Sequence, residues 1–185
     1  MESPVTIVGR GPVGMTTALL LARRGVPSII VDPQPADEVS PGSKAVLIAG
    51  HVMSITEQLG VGEQIAREGL AWRTGRTFIR GREVTATEVP LTEGLWPRIV
   101  NLSQHRVEEL LLARVNSEPL ITLRAGTRLV GLTDHGDRVT VRIEGEGAEE
   151  EFDTSWVAGC DVARSTVRKM LGVPFEGYGF EENFL

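Results

Sequence analysis

At 185 residues, with 41% hydrophobic and 24% charged content, the chain has the make-up of a globular protein with room for one sizeable domain and its core. A net charge of -6 argues against a general nucleic-acid or anionic-membrane surface, both of which favour basic patches, so any phosphate it binds must be met locally. A single cysteine, Cys160, excludes an internal disulfide, no stretch approaches the roughly 20 apolar residues of a membrane span, and "MESPVTIVG" carries no export signal; the cytoplasm is the expected location.

Val5 to Val8 is a short apolar run of the kind shown by a parallel strand covered on both faces. The glycines from Gly9 to Gly14 break it. From Pro12 onwards Met15, Ala18, Leu19 and Ala22 recur at helical spacing, and Arg23, Arg24 and Gly25 close the helix with a cationic last turn and a terminal glycine. Ser28 to Val31 is a second apolar strand, ending at Asp32, which completes a βαβ unit.

Residues 33 to 50 form a long irregular link rich in proline and glycine, of a length that usually has a function. Helical periodicity returns in "HVMSITEQLG" and "VGEQIAREG". Residues 72 to 100 alternate as strands do, with "TFIRGREVTATEVPL" predicting a hairpin around Gly81. A strong helix runs from Ser103, the cap candidate, to Asn116, with Val107, Leu110, Leu111 and Val115 on one side. Ile121 to Arg124, Arg128 to Thr133 and Arg138 to Ile143 are then read as a small antiparallel meander. The acidic "EGEGAEEE" is expected to be a solvated, disordered loop, "FDTSWVAGCD" one further strand, and "ARSTVRKMLG" a short helix. The chain divides into a βαβ unit with its following helices over 1–71, a β insertion over 72–100 and a return to the first domain over 101–185. The ending "FEENFL", two large apolar residues with no polar tail, reads as a truncation or as a chain whose partner is missing.

A G-x-G-x-x-G spacing is weak evidence in a chain with 21 glycines, and its context carries the weight. Gly9 permits a tight turn off the strand, Gly11 removes the side chain where a pyrophosphate approaches the backbone, and Gly14 lets the helix pack closely on the sheet. After Pro12, the N–H groups near Val13 and Gly14 face any phosphate, with the helix dipole behind them. A carboxylate at Asp32 can accept hydrogen bonds from both hydroxyls of an adenosine ribose and repels a 2'-phosphate. Together these fit an ADP moiety and leave nicotinamide and flavin both open.

"PGSKAV", "LSQHRVEELLL" and "VAGCDVARSTVRKMLGVPFEGY" follow the glycine turn in this order. With it, they resemble the N-terminal half of the FAD-dependent aromatic hydroxylases, the single-component flavoprotein monooxygenases of the para-hydroxybenzoate hydroxylase type, over almost the whole chain. The resemblance implies an α/β, Rossmann-like FAD-binding fold with an inserted antiparallel β region. It implies that Gly9, Gly11, Pro12, Val13 and Gly14 hold the FAD pyrophosphate, Asp32 the adenosine ribose, Lys44 the phosphates where the family has an arginine, Gln104 the cofactor and the Leu129 backbone the adenine. Cys160 and Asp161 match the start of the family's Asp-Gly segment, which implies that Asp161 touches FAD and the passing NADPH, but Val162 replaces the segment's glycine. If that position needs φ > 0, the valine costs on the order of 1 to 3 kcal/mol. Arg168, and more weakly Arg164, match basic residues that meet NADPH phosphates.

The implied activity is an FAD-dependent monooxygenation, with NADPH or NADH as co-substrate, placing one atom of O2 on a phenolic, other aromatic or polyketide-like substrate. No catalytic side chain can be named, because the family's flavin-enclosing Gly-Asp segment and substrate pocket have no counterpart here; they are expected from a C-terminal half or partner chain. The competing readings are a non-catalytic or split FAD- or nucleotide-binding module needing a partner chain, and a nicotinamide-dependent dehydrogenase, which the meander disfavours. His51, His105 and His135 lack metal-ligand spacing, and Cys160 reads as a small buried residue.

Overall fold

A computed structural model of the protein describes residues 3–36, 38–39, 45–89 and 99–179. Lys44 and the residues from 180 onwards, which include the apolar ending, lie outside them. Strand β1 (Val5–Val8), helix α1 (Pro12–Ala22) and strand β2 (Ser28–Asp32) form the expected βαβ unit, with β1 and β2 parallel and Val5 opposite Ser28. The helix buries Gly14, Met15, Ala18, Leu19 and Ala22, the positions its spacing marks, and Gly25 ends the unit's turn at φ 75°.

Strand β3 (Ala45–Ala49) leads into α2 (Gly50–Gln58) and α3 (Gly62–Glu68), followed by the short β4 (Leu70–Ala71). Strands β5 (Thr74–Ile79) and β6 (Arg82–Glu88) make the predicted hairpin, turning on Arg80 and Gly81 at φ 50° and 78°. Two positive φ values at the turn match the twist of the flanking strands. Strand β7 (Ile99–Ser103) then pairs antiparallel with both β3 and β4, and α4 (Gln104–Ser117) follows at once. Ser103 does occupy the cap position of α4, but its side chain makes no capping bond. Between α3 and α4, Arg106 donates to Glu68 at 2.7 Å and holds its carboxyl down at about 2.

The expected three-segment meander is corrected at its first member. Strand β8 (Ile121–Ala125) lies parallel to β2 in the main sheet, with Ser28 opposite Ile121. Helix α4 packs beside α1 and delivers β8 to that edge, where Ile121 and Leu123 join the core under the helices. The antiparallel sheet is instead β9 (Arg128–Asp134), β10 (Val139–Gly145) and β11 (Ala148–Thr154). The acidic segment is thus not a disordered loop: it turns on Glu146 and Gly147, at φ 50° and 78°, and continues as β11. Its carboxylates face arginines of neighbouring strands, with Arg124 to Glu150 at 2.9 Å and Arg142 to Glu149 at 3.6 Å. Nor is "FDTSWVAGCD" one strand. The chain leaves the meander after Thr154, whose buried hydroxyl bonds to the Pro4 carbonyl, and β12 (Trp156–Gly159) joins β1 in parallel. The short helix α5 (Thr166–Met170) closes the described fold.

The main sheet therefore runs β12-β1-β2-β8, all parallel. Alternate residues of a strand face opposite sides, and both sides are covered. Ile7 and Ile30 pack with α1 and α4 on one face; Val8 and Val31 pack with Leu129, Val141, Ile143 and Val167 of the meander and α5 on the other. The carboxyl ends of β1, β2 and β12 are left side by side, which is where ligands of open α/β sheets bind.

Candidate cofactor site

At those strand ends the turn from β1 into α1 is held on both sides. The Gly9 N–H donates to the Val31 carbonyl at 2.9 Å, and the Cys160 N–H donates to the Val8 carbonyl at 2.7 Å. Gly9 has φ 106°, and a Cβ there would stand 2.6 Å from the Cys160 carbonyl oxygen. A Cβ on Gly14 would meet the Gly9 carbonyl oxygen at 1.9 Å. Both glycines are therefore demanded by the fold itself.

Gly11 is different. Its φ of -67° suits any residue, and a Cβ built on it meets nothing within 4 Å. It is the N-cap of α1, and no side chain caps the helix. The amides of Gly11, Val13 and Gly14 have no acceptor inside the helix, Pro12 has no N–H to offer, and the dipole adds a partial positive charge. An open donor-lined space beside a bare glycine is the cradle a pyrophosphate needs.

Asp32 ends β2 beside this cradle and is 8% exposed. Its Oδ2 accepts from the Arg10 N–H at 2.7 Å and its Oδ1 from the Gln34 N–H at 2.9 Å. Each oxygen keeps acceptor capacity, so the carboxylate can still receive ribose hydroxyls. On the other side of β1, Asp161 follows β12, and its carboxylate accepts from the Ser165 hydroxyl at 2.6 Å and from the Thr166 and Val167 N–H groups at 2.5 and 3.2 Å. It thereby engages the first two amides of α5, whose N-cap is Ser165. The residues present fit the ADP part of a dinucleotide: donors for the pyrophosphate, room for it, and a fixed carboxylate for the sugar.

Residues 2–184 match the family described as the FAD binding domain. The chain belongs to that family.

A flavin-dependent monooxygenase of Mycobacteroides abscessus is 34% identical, over 96% of this chain and 38% of that relative. Pentachlorophenol 4-monooxygenase of Sphingobium chlorophenolicum is 30% identical, over 100% of this chain and 34% of that relative. Among solved structures, p-nitrophenol 4-monooxygenase PnpA from Pseudomonas putida DLL-E4 superposes with a TM-score of 0.87 at 26% identity, covering 96% of this chain and 46% of PnpA. The flavin-dependent monooxygenase PieE, solved in complex with FAD and substrate, has a TM-score of 0.81 at 28% identity, covering 96% of this chain and 33% of PieE. The FAD binding domain thus spans between a third and a half of the length of these relatives.

The other expected residues of this FAD binding domain are placed less simply. Gln104 opens α4, and its amide donates to Glu108 at 2.6 Å, a buried carboxylate on the same helix. The Leu129 side chain is buried in the core between sheet and meander, while the nearby Thr127 N–H donates to the Asp32 carbonyl at 3.0 Å and fixes the start of β9 beside the site. Arg168 does not reach the glycine turn through any described hydrogen bond. It donates to the Val173 carbonyl at 2.9 Å and lies over the Phe175 ring, 5.2 Å from its centre. Arg164 is exposed. Cys160 is half-buried, and burial pushes its thiol up, away from the reactive thiolate. Among the described residues no cluster of His, Cys, Asp and Glu could hold a metal.

Val162 keeps the backbone of a glycine. Its φ is 59°, and its side chain is 83% exposed, so no packing offsets the crowding of a β-branched residue in the left-handed region. Relief of about 1 to 3 kcal/mol of strain, less the greater entropy of a glycine chain when unfolded, leaves a net gain. Val162→Gly should raise stability by about 1 kcal/mol and the melting temperature by about 2 to 4 °C. A thermal melt that is unchanged or lower counts against strain at this position.

Arg10 is the site residue that sequence reasoning missed. The glycine pattern leaves the position between Gly9 and Gly11 unassigned, and nothing local says that an arginine there is 95% removed from solvent, at 5% exposure.

Proposed function

We propose that the chain is the FAD-holding part of a flavin-dependent monooxygenase that uses NADPH or NADH and O2 to hydroxylate a phenolic, other aromatic or polyketide-like substrate. The observation that carries the reading is the open, donor-lined space at Gly11, set beside a buried carboxylate at Asp32. The names of the relatives support the reaction class, and their greater length means that the substrate pocket would be supplied by residues beyond the region matched here.

In this reading the amides of Gly11, Val13 and Gly14 receive the pyrophosphate on the tight turn that Gly9 makes, with Pro12 setting the first turn of α1 without spending an N–H. Asp32 accepts the ribose hydroxyls and thereby selects adenosine over a 2'-phosphorylated nucleotide. The backbone of Leu129 borders the adenine, Gln104 approaches the cofactor by releasing Glu108, and Lys44 adds positive charge at the phosphates without the bidentate fork of an arginine. Arg168 and Arg164 would meet NAD(P)H phosphates, Arg168 after leaving Val173 and Phe175. Residues 72–100 would form a substrate-side β insertion. FAD, when bound, supplies the electron transfer and oxygen activation, and the protein supplies position and exclusion of water. The cytoplasm suits this chemistry.

The strain at Val162 favours one second reading, a non-catalytic FAD- or nucleotide-binding module that works through a partner chain. Titration of the chain with FAD, followed by flavin fluorescence and by a visible spectrum after free cofactor is removed, tests the shared premise. Saturable, stoichiometric binding is expected; a folded chain that takes up no flavin overturns it. NADPH oxidation stimulated by an added phenol, measured with the full-length protein, separates the monooxygenase from the module.

A further inference from the structure

Arg10 joins the glycine turn to the segment that follows Asp32. While its backbone N–H holds the Asp32 carboxylate at 2.7 Å, its guanidinium donates to the Ala36 carbonyl at 2.8 Å, to the Pro35 carbonyl at 2.9 Å and to the Glu38 carbonyl. Main-chain carbonyls clustered around a planar fork of five N–H donors form a charge-assisted set that a lysine cannot reproduce. Residues 33–36 otherwise run near the surface, tied by the Gly126 N–H to the Gln34 carbonyl at 2.9 Å. The guanidinium is turned to these carbonyls and does not crowd Gly11, where an added Cβ would meet no protein atom within 4 Å.

We propose that Arg10 is a positioning residue for the nucleotide end of the site. By clamping the Pro35, Ala36 and Glu38 carbonyls to the glycine turn, it sets the Asp32 carboxylate and the wall beyond it before the ligand arrives. Preorganisation of this kind raises affinity by removing an ordering cost from binding. The role rests on the FAD reading above.

The test uses the 185-residue chain with Arg10→Met and Arg10→Lys, and ADP as a probe that carries only the nucleotide half of FAD. Arg10→Met should weaken ADP and FAD by a similar factor, about 10-fold or more, and Arg10→Lys by an intermediate factor. Hydrogen exchange of the ligand-free chain should show lost protection at the Gln34 and Gly126 amides with the β1 and β2 amides still protected, which a general loss of stability would not give. If Arg10→Met fails to fold, Arg10→Lys decides. Folded variants that bind ADP as tightly as the parent overturn the positioning role and leave the FAD site standing. A parent chain that binds neither FAD nor ADP overturns the FAD reading, and the role of Arg10 falls with it.

Discussion

Replacing Gly11 by alanine should weaken FAD binding by about 10- to 100-fold while changing stability by no more than about 1 kcal/mol. The added methyl meets no protein atom within 4 Å, and the backbone at φ -67° and ψ 178° is open to alanine, so the folded chain has no reason to rearrange. The small stability term comes from the cap, where alanine is poorer than glycine. What the methyl does occupy is the approach to the amides of Val13 and Gly14. A pyrophosphate held by backbone donors must come within hydrogen-bond distance of them, and a Cβ at that place pushes it back. The measurement is an FAD titration paired with a thermal melt of the same preparation. Unchanged FAD affinity in a folded variant would place the cofactor elsewhere.

The same methyl three residues later should have the opposite signature. At Gly14 it would stand 1.9 Å from the Gly9 carbonyl oxygen, a backbone atom held in place because Gly9 itself bonds to Val31 and packs against Cys160. Relief requires α1 to move off the turn, which breaks its packing through Met15 and Ala18 on the core. Overpacking against backbone should cost at least about 3 kcal/mol, at the upper end of what added methylenes do in well-packed cores. For a chain of this size the melting temperature should fall by about 6 to 12 °C. A Gly14→Ala variant that melts with the parent would contradict the close approach of helix and turn. Together the two variants separate a glycine the ligand needs from a glycine the fold needs.

The βαβ unit was legible in the sequence because its signals are local. Apolar runs mark Val5–Val8 and Ser28–Asp32, helical spacing marks Met15 to Ala22, and the glycines lie between them, so Asp32 falls beside the turn by chain connectivity alone. The same is true of the hairpin at Arg80 and Gly81 and of helix α4, whose inner face is written in Val107, Leu110, Leu111 and Val115. The family resemblance, carried by four short segments in order, agrees with the match over residues 2–184.

Only the tertiary structure decided which strand lies next to which. Alternation in Ile121 to Ala125 says that one side is buried, but the choice of β2 as a parallel neighbour, rather than β9 as an antiparallel one, depends on where α4 packs. The run of glutamates after Gly147 is exposed, as its charge implies, but it is a paired strand and not a disordered loop, and Arg124 and Arg142 on neighbouring strands answer its charge. Gln104 and Arg168 carry side chains that could reach a cofactor, yet Glu108, Val173 and Phe175 already engage them, and such partners are invisible to spacing. Arg10 is the plainest case. Its meaning lies in carbonyls more than twenty residues away, brought to it by the return of β2 along β1. Periodicity and turn chemistry act over a few residues and are therefore written in the chain, whereas pairing, charge neutralisation and the reach of a buried side chain are properties of neighbours that exist only after folding.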